Sequence, residues 1–268
     1  MNISDISSQN ALYYLNLTSY GTQNSTTQLA SGSKLSIPSN DPAGAAVASQ
    51  LDSTTLGLNA ASQNVQNLTS FAQTSDGYLS VIQGQLGQLS TLAVRSTDGT
   101  LSASDRSAIN DEFTKIRDQI NNQIQNASFN GTNVFDTTNT VSAAVDASGS
   151  NSYTLSIANA SQDVAGLASS NVLTSSAAQA ALNDVTTAIQ NIATSRSQVN
   201  ADVATLSNTS DNIQTQQINT EKAASQISDA DYAQQTTTLA KNNILNQASV
   251  AMLGQANLSA QTVLGLLA

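Results

Sequence analysis

The chain has 268 residues, a formal net charge of −10, a pI near 4.1, and neither Cys, His nor Trp. Without Cys there is no disulfide, thiolate nucleophile or Cys-bound zinc, and without His the commonest general base and metal ligand is missing. Eight Lys plus Arg against eighteen Asp plus Glu make a poor nucleic-acid binder, and no stretch has the apolar length that a membrane-crossing helix needs.

The opening MNISDISSQN lacks the basic region and apolar core of a secretory signal, which predicts either a cytoplasmic chain or export by a route without a cleaved signal. Residues 1–36 are mildly apolar; Leu12, Leu15 and Leu29 suggest helix, with Gly21 and Gly32 as weak points. Both prolines fall in Ile37-Pro38-Ser39-Asn40-Asp41-Pro42. Asp41 before Pro42 is an N-cap followed by proline at the first helical position, so a bend and a helix start are expected there.

A seven-residue repeat then runs through Val47, Leu51, Thr54, Leu58, Ala61, Val65, Leu68, Ala72, Ser75, Leu79, Ile82, Leu86, Leu89 and Ala93. Spacings that alternate four and three place these residues on one helix face, and an unbroken seven-residue period supercoils that face around a partner. Asp98-Gly99 marks a turn, and Ser102 through Asp105 has the form of a capping box. The helix it opens carries Ile109, Phe113, Ile116 and Ile120 on one side and ends near Asn126.

From Phe129 the period changes. Asn130-Gly131 is a tight-turn signal, and Tyr153, Leu155 and Ile157 alternate after the turn-rich Ser148 to Asn151, predicting one or two β-hairpins within 129–160. A second repeat follows through Leu182, Val185, Ile189, Ile192, Arg196, Val199, Val203, Leu206, Ser210, Ile213, Gln217, Thr220, Ala224 and Ile227. Each repeat makes a rod of roughly 70 Å at 1.5 Å per residue, so the two can lie side by side. The fold class read from these patterns is mainly α: long antiparallel helical hairpin or coiled-coil rods with a small β-hairpin insert. Leu51, Leu58, Val65, Leu79 and Leu86 face Leu182, Ile189, Val199 and Leu206 across the expected rod seam. Arg196 sits in that seam either snorkelling to water or pairing with another subunit.

A capping box at Ser228 to Asp231 restarts a helix. Asp229 and Asp231 there suit the positive end of a helix dipole better than a metal ion. The tail after it is apolar over a wide stripe: Leu239, Ile244, Leu245, Met252, Leu253, Val263, Leu264, Leu266 and Leu267. Such a surface either packs on residues 1–36 or marks an interaction surface. The polar seam positions predict modest subunit stability, with residues 1–36 and 232–268 largely unfolded in the lone subunit and becoming helical on association.

Four segments carry a resemblance. Leu29-Ala30-Ser31-Gly32 followed by Ser39 to Ala46, Ala127-Ser128-Phe129-Asn130-Gly131, Ile227 to Ala233, and the tail from Ile244 through Val263-Leu264-Gly265-Leu266-Leu267 resemble the signatures of bacterial flagellins, in the right order. The chain looks like a short member without large outer domains. The resemblance implies an inner domain of terminal helices (1–41 with 229–268) and a rod domain of three helices with a hairpin region (42–228). It also implies export of the unfolded subunit by the flagellar apparatus and self-assembly into an extracellular helical filament for swimming. The implied partners are copies of the chain, an export chaperone, the filament cap and hook-junction proteins; no enzymatic activity and no cofactor are implied. The terminal apolar residues Leu12, Leu15, Leu29, Leu239, Ile244, Leu245, Met252, Leu253, Val263, Leu264, Leu266 and Leu267 are then assembly residues. Many flagellins are recognised by an innate receptor through an Arg, a Leu and a Glu on the outer rod face; the matching positions are Gln88, Leu92 and Glu112, and loss of the guanidinium at Gln88 predicts weak recognition. The rival readings are the hook–filament junction protein, which the Pro38 to Pro42 segment favours locally, and a secreted coiled-coil adhesin.

Overall fold

The computed structural model describes residues 3–136 and 140–267, with side chains from 8 to 136, 140 to 258 and at 262. Its elements in order are α1 (Ile3–Ser31), a 3-10 turn (Pro38–Asn40), α2 (Pro42–Ser96), α3 (Ala103–Asn126), β1 (Ser128–Phe129), β2 (Thr132–Asn133), β3 (Ser142–Ala144), β4 (Ser152–Thr154), α4 (Ala160–Asp163), a second 3-10 turn (Ala165–Ser169), α5 (Ser175–Ser228) and α6 (Tyr232–Leu267). They form two compact units: residues 1–53 with 219–268, and residues 54–218.

The second unit is organised by the α2 repeat. Leu58, Ala61, Val65, Leu68, Ala72, Ser75, Leu79, Ile82, Leu86, Leu89 and Ala93 are all buried, with spacings that alternate as the heptad requires. Ile109, Phe113, Ile120 and Ile124 of α3 and Val185, Ile192, Val199, Leu206 and Ile213 of α5 complete the same core. Two cross-links show that α2 and α5 run antiparallel here: Arg196 meets Asp76, and the Gln217 amide donates to Asn59 at 3.0 Å.

The heptad of α5 departs from its expected register in one respect. Ala178, Ala181, Ala188 and Asp202 are buried, whereas Leu182, Ile189 and Val203 are only half-buried and pack on the edge of the core. Small alanines at the centre let the helices approach closely, and the larger side chains flank them to widen the stripe. Arg196 also differs from both expectations. It neither snorkels nor awaits another subunit: Nε lies 2.8 Å from Asp76 Oδ1, Nη2 lies 3.3 Å from Oδ2, and Nη1 donates to Gln83 Oε1 at 2.6 Å. This fork-shaped pair raises the guanidinium pKa and pins the stagger of α5 on α2.

Local chemistry fixes the joints of this unit. Ser102 caps α3 reciprocally with Asp105, whose carboxylate is held below its ordinary pKa by the Ser102 side chain and backbone. Arg106 is buried, and its guanidinium donates to the carbonyls of Ser96, Leu101 and Asp98, filling open acceptors where α2 ends. The Ser96 hydroxyl donates to the Val172 carbonyl at 2.6 Å, tying the lead-in of α5 to the same corner.

Both expected hairpins form. Asn130 and Gly131 have φ of 50° and 81°, the left-handed pair that a two-residue turn between β1 and β2 demands. In the second, Ala143 stands opposite Tyr153. The Tyr153 hydroxyl donates to Asp202 Oδ1 and the Ser156 N–H to Oδ2, both at 2.9 Å, which docks β4 on α5. Its turn presses on α2 at Gly57, where a Cβ would stand 2.3 Å from the Ala147 carbonyl oxygen.

Gly57→Ala is therefore expected to lower the thermal midpoint although alanine is about 1 kcal/mol the better helix former. Gly84→Ala, where a Cβ meets nothing within 4 Å, is expected to raise it; circular dichroism melting distinguishes the two. Burial first, then the hydrogen bond and charge of Asp202, raise the Tyr153 pKa above 10.0. A raised folded-state pKa means the stability this group contributes is present below about pH 10 and is lost as pH climbs through the folded value. Tyr153→Phe should flatten that alkaline decline in urea-melt stability.

Candidate assembly interface

In the first unit α1 and α6 lie antiparallel. The contacts run in reverse order along the two helices: Tyr232 reaches Leu29, Asn242 abuts Gly21, and Asn246 Nδ2 donates to Ser19 Oγ at 3.2 Å. The face of α1 turned to α6 reads Ser8, Ala11, Leu15, Thr18, Thr22, Ser25 and Leu29, an unbroken three-four alternation. Ala11, Thr18 and Ser25, spaced by seven, are its buried residues. The facing stripe of α6 is Gln235, Leu239, Asn242, Asn246, Ser249, Leu253 and Ala256, all half-buried.

This seam is small and polar. Thr18 satisfies its own hydroxyl by donating to the Tyr14 and Leu15 carbonyls one turn back, and Thr22 does the same with Thr18. Small residues let the backbones approach closely: a Cβ on Gly21 would come 2.6 Å from the Asn242 amide nitrogen. Apart from Leu15, Leu29, Leu239 and Leu253, the large apolar side chains described on the two helices are turned the other way. Tyr13, Leu17 and Tyr20, at i, i+4 and i+7, are 65%, 55% and 69% exposed. Leu12, Tyr14, Ile244, Leu245, Val250, Met252 and Leu258 are exposed too. Tyr14 and Met252, with Ala11, Thr18, Leu245 and Ala248, line an open groove of about 540 Å³ along the pair.

The expected assembly residues therefore divide. Leu15, Leu29, Leu239 and Leu253 belong to the seam within the subunit. Leu12, Ile244, Leu245 and Met252 point outward. Val263, Leu264, Leu266 and Leu267 lie outside the described side chains. Tyr13, Tyr14, Leu17, Tyr20, Val250 and Leu258 were missed, although the i, i+4, i+7 spacing of Tyr13, Leu17 and Tyr20 was a readable signal. Both chain ends are helical and paired in the single chain, where order on association was expected.

Among the described residues no group of His, Cys, Asp and Glu could hold a metal, and no helix is long and apolar enough to cross a membrane. Asp231, not Ser228, caps α6: its Oδ1 accepts from the N–H groups of Ala233 and Gln234, while Ser228 closes α5. Gln88 and Glu112 are exposed, but Leu92, expected beside them on the outer face, is 7% exposed and packs in the core.

Residues 3–140 match the bacterial flagellin N-terminal helical region, and residues 182–267 match the bacterial flagellin C-terminal helical region. The chain belongs to the bacterial flagellin family. It is 31% identical over 243 residues to a flagellin of Halalkalibacterium halodurans, covering 90% of this chain and 89% of that one. It is 32% identical over 262 residues to a flagellar filament core protein of Treponema maltophilum, covering 90% of each. The crystal structure of Bacillus cereus flagellin superposes with a TM-score of 0.52 at 25% identity, covering 56% of this chain and 88% of that one. In this flagellin the segment between the two matched regions holds only the β3–β4 hairpin, α4, a short 3-10 turn and the start of α5.

Ser25→Leu, which forces a large side chain into a position now 3% exposed, is expected to part α1 from α6. Overpacking of this kind costs about 1–3 kcal/mol. Amide exchange should quicken along both helices while α3 is unchanged.

Proposed function

We propose that this chain is a structural subunit of the bacterial flagellar filament, and that the outward faces of α1 and α6 are covered by neighbouring copies. One observation carries the reading: among the described residues the unit formed by the chain ends fully buries only Ala11, Thr18 and Ser25, and it presents its aromatic and several of its large aliphatic side chains. A monomer gains nothing from that arrangement, since each exposed Leu, Ile or Met forgoes about 1.5–3 kcal/mol of burial. In a polymer the same residues form contacts between copies, and Tyr and Met suit such surfaces. Two different faces, one aromatic on α1 and one aliphatic on α6, favour a heterologous contact that repeats without closing, which is the requirement for a filament.

The family relation supports the rest of the reading. The subunit leaves the cell unfolded through the flagellar export apparatus, escorted by an export chaperone, and joins an extracellular filament between hook-junction proteins and a cap. The filament serves swimming, and the chain has no enzymatic role. Relatives named flagellin and flagellar filament core protein match over about 90% of the chain.

Tyr13→Ser, Tyr20→Ser and Met252→Ser test it. Exposed positions shift subunit stability by about 0.5 kcal/mol or less. Each variant is therefore expected to melt like the parent and yet fail to extend filament seeds, or to need at least a tenfold higher concentration, as seen by sedimentation and electron microscopy. Unimpaired extension by all three would overturn the assignment of these faces.

A further inference from the structure

The linker after α1 and the linker before α6 meet in an isolated antiparallel bridge with Ser33 opposite Asp229. The Lys34 N–H donates to the Ser228 carbonyl at 2.7 Å, and the Ala230 N–H donates to the Gly32 carbonyl at 2.9 Å. Across this bridge two long side chains pass in opposite directions. Lys34 Nζ donates to the Gln226 carbonyl, 3.1 Å away in the last turn of α5. The Tyr232 hydroxyl donates to the Leu29 carbonyl, 3.2 Å away in the last turn of α1.

Both acceptors belong to helix C-terminal turns, whose final carbonyls have no donor within their own helix. The ammonium of Lys34 also meets the negative end of the α5 dipole. Gly32, with φ of +69°, makes the left-handed turn that ends α1 and brings Ser33 to the bridge. The Gln28 side chain closes that turn by donating to the Lys34 carbonyl at 3.2 Å. The end of α5 is thus finished by Lys34 of the linker after α1, and the end of α1 by Tyr232, the first residue of α6, over sequence separations of 192 and 203 residues.

We propose that Lys34 and Tyr232 form a reciprocal cap that couples the order of the two chain ends, so that neither joint is formed without the other. Closing loops of that length is entropically costly, and local propensity at one end cannot offset it alone. The cross-caps make each joint the template for its partner and set where α1 begins its register on α6. Lys34 and Tyr232 are positioning residues in this device. The coupling is a property of the single folded chain and does not depend on the filament reading.

Hydrogen exchange with mass spectrometry on the full-length, unpolymerised chain tests it. Tyr232→Phe and Lys34→Met each remove one donor and keep most of the side-chain volume. Loss of one such bond is expected to speed exchange about fivefold, and in both segments, 28–34 and 224–234, for either variant. The double variant should add little to either single one, and Lys34→Arg, which restores a donor, should exchange like the parent. Unchanged protection of α3 reports that each variant is folded. The proposal fails if each variant loosens only the helix end it caps, if neither segment responds, or if both segments of the parent already exchange without protection.

Discussion

The subunit depends on a seam too polar to be the whole reason for its helices. Where α1 meets α6, Ala11, Thr18 and Ser25 occupy the buried heptad positions, and their partners include Asn242, Asn246 and Ser249. Such a seam orients two helices and allows close approach, but it buries little apolar surface, and apolar burial is the main favourable term in folding. The compensating surface lies outside, on Tyr13, Leu17, Tyr20, Ile244 and Met252. An inside-out distribution of this kind joins the stability of the chain ends to the presence of a partner, because whatever binds only the folded form adds to its stability.

The unit formed by residues 54–218 follows the opposite rule. Its α2 face buries Leu, Ile, Val and Ala with Ser75 among them, and the charged groups set in this unit have dedicated partners. Arg196 is held by Asp76 and Gln83, Asp202 by Tyr153 and Ser156, and Arg106 by three carbonyls. Breaking one partner of such a buried contact strands the other, so these groups specify register rather than add bulk stability. A firm core in one unit and a lean seam in the other fit a subunit whose ends acquire their environment from copies of itself.

Much of this was legible in the sequence because heptads and caps are local. The α2 stripe, the Ser102–Asp105 box, the Asp41–Pro42 helix start and the Asn130-Gly131 turn each depend on residues a few positions apart. What was not legible depends on three-dimensional partners. The half-residue ambiguity of a wide stripe left Leu182 and Ile189 at the seam centre, where Ala181 and Ala188 in fact sit. Leu92, placed on the outer face by the resemblance, is buried in the core by contacts that its local sequence does not show. In α1 and α6 apolar residues recur all round the helix, so periodicity shows that they are helices but not which face turns inward. The cross-caps of Lys34 and Tyr232 connect positions about two hundred residues apart and have no local signature.

Residue-resolved hydroxyl-radical footprinting of dilute subunits and of assembled filaments tests the central claim most directly. The account predicts that Tyr13, Tyr20 and Met252 are readily oxidised in the subunit and become strongly protected in the filament, while Tyr153, docked on α5, reacts alike in both. Equal reactivity of those three outward side chains before and after assembly would contradict it.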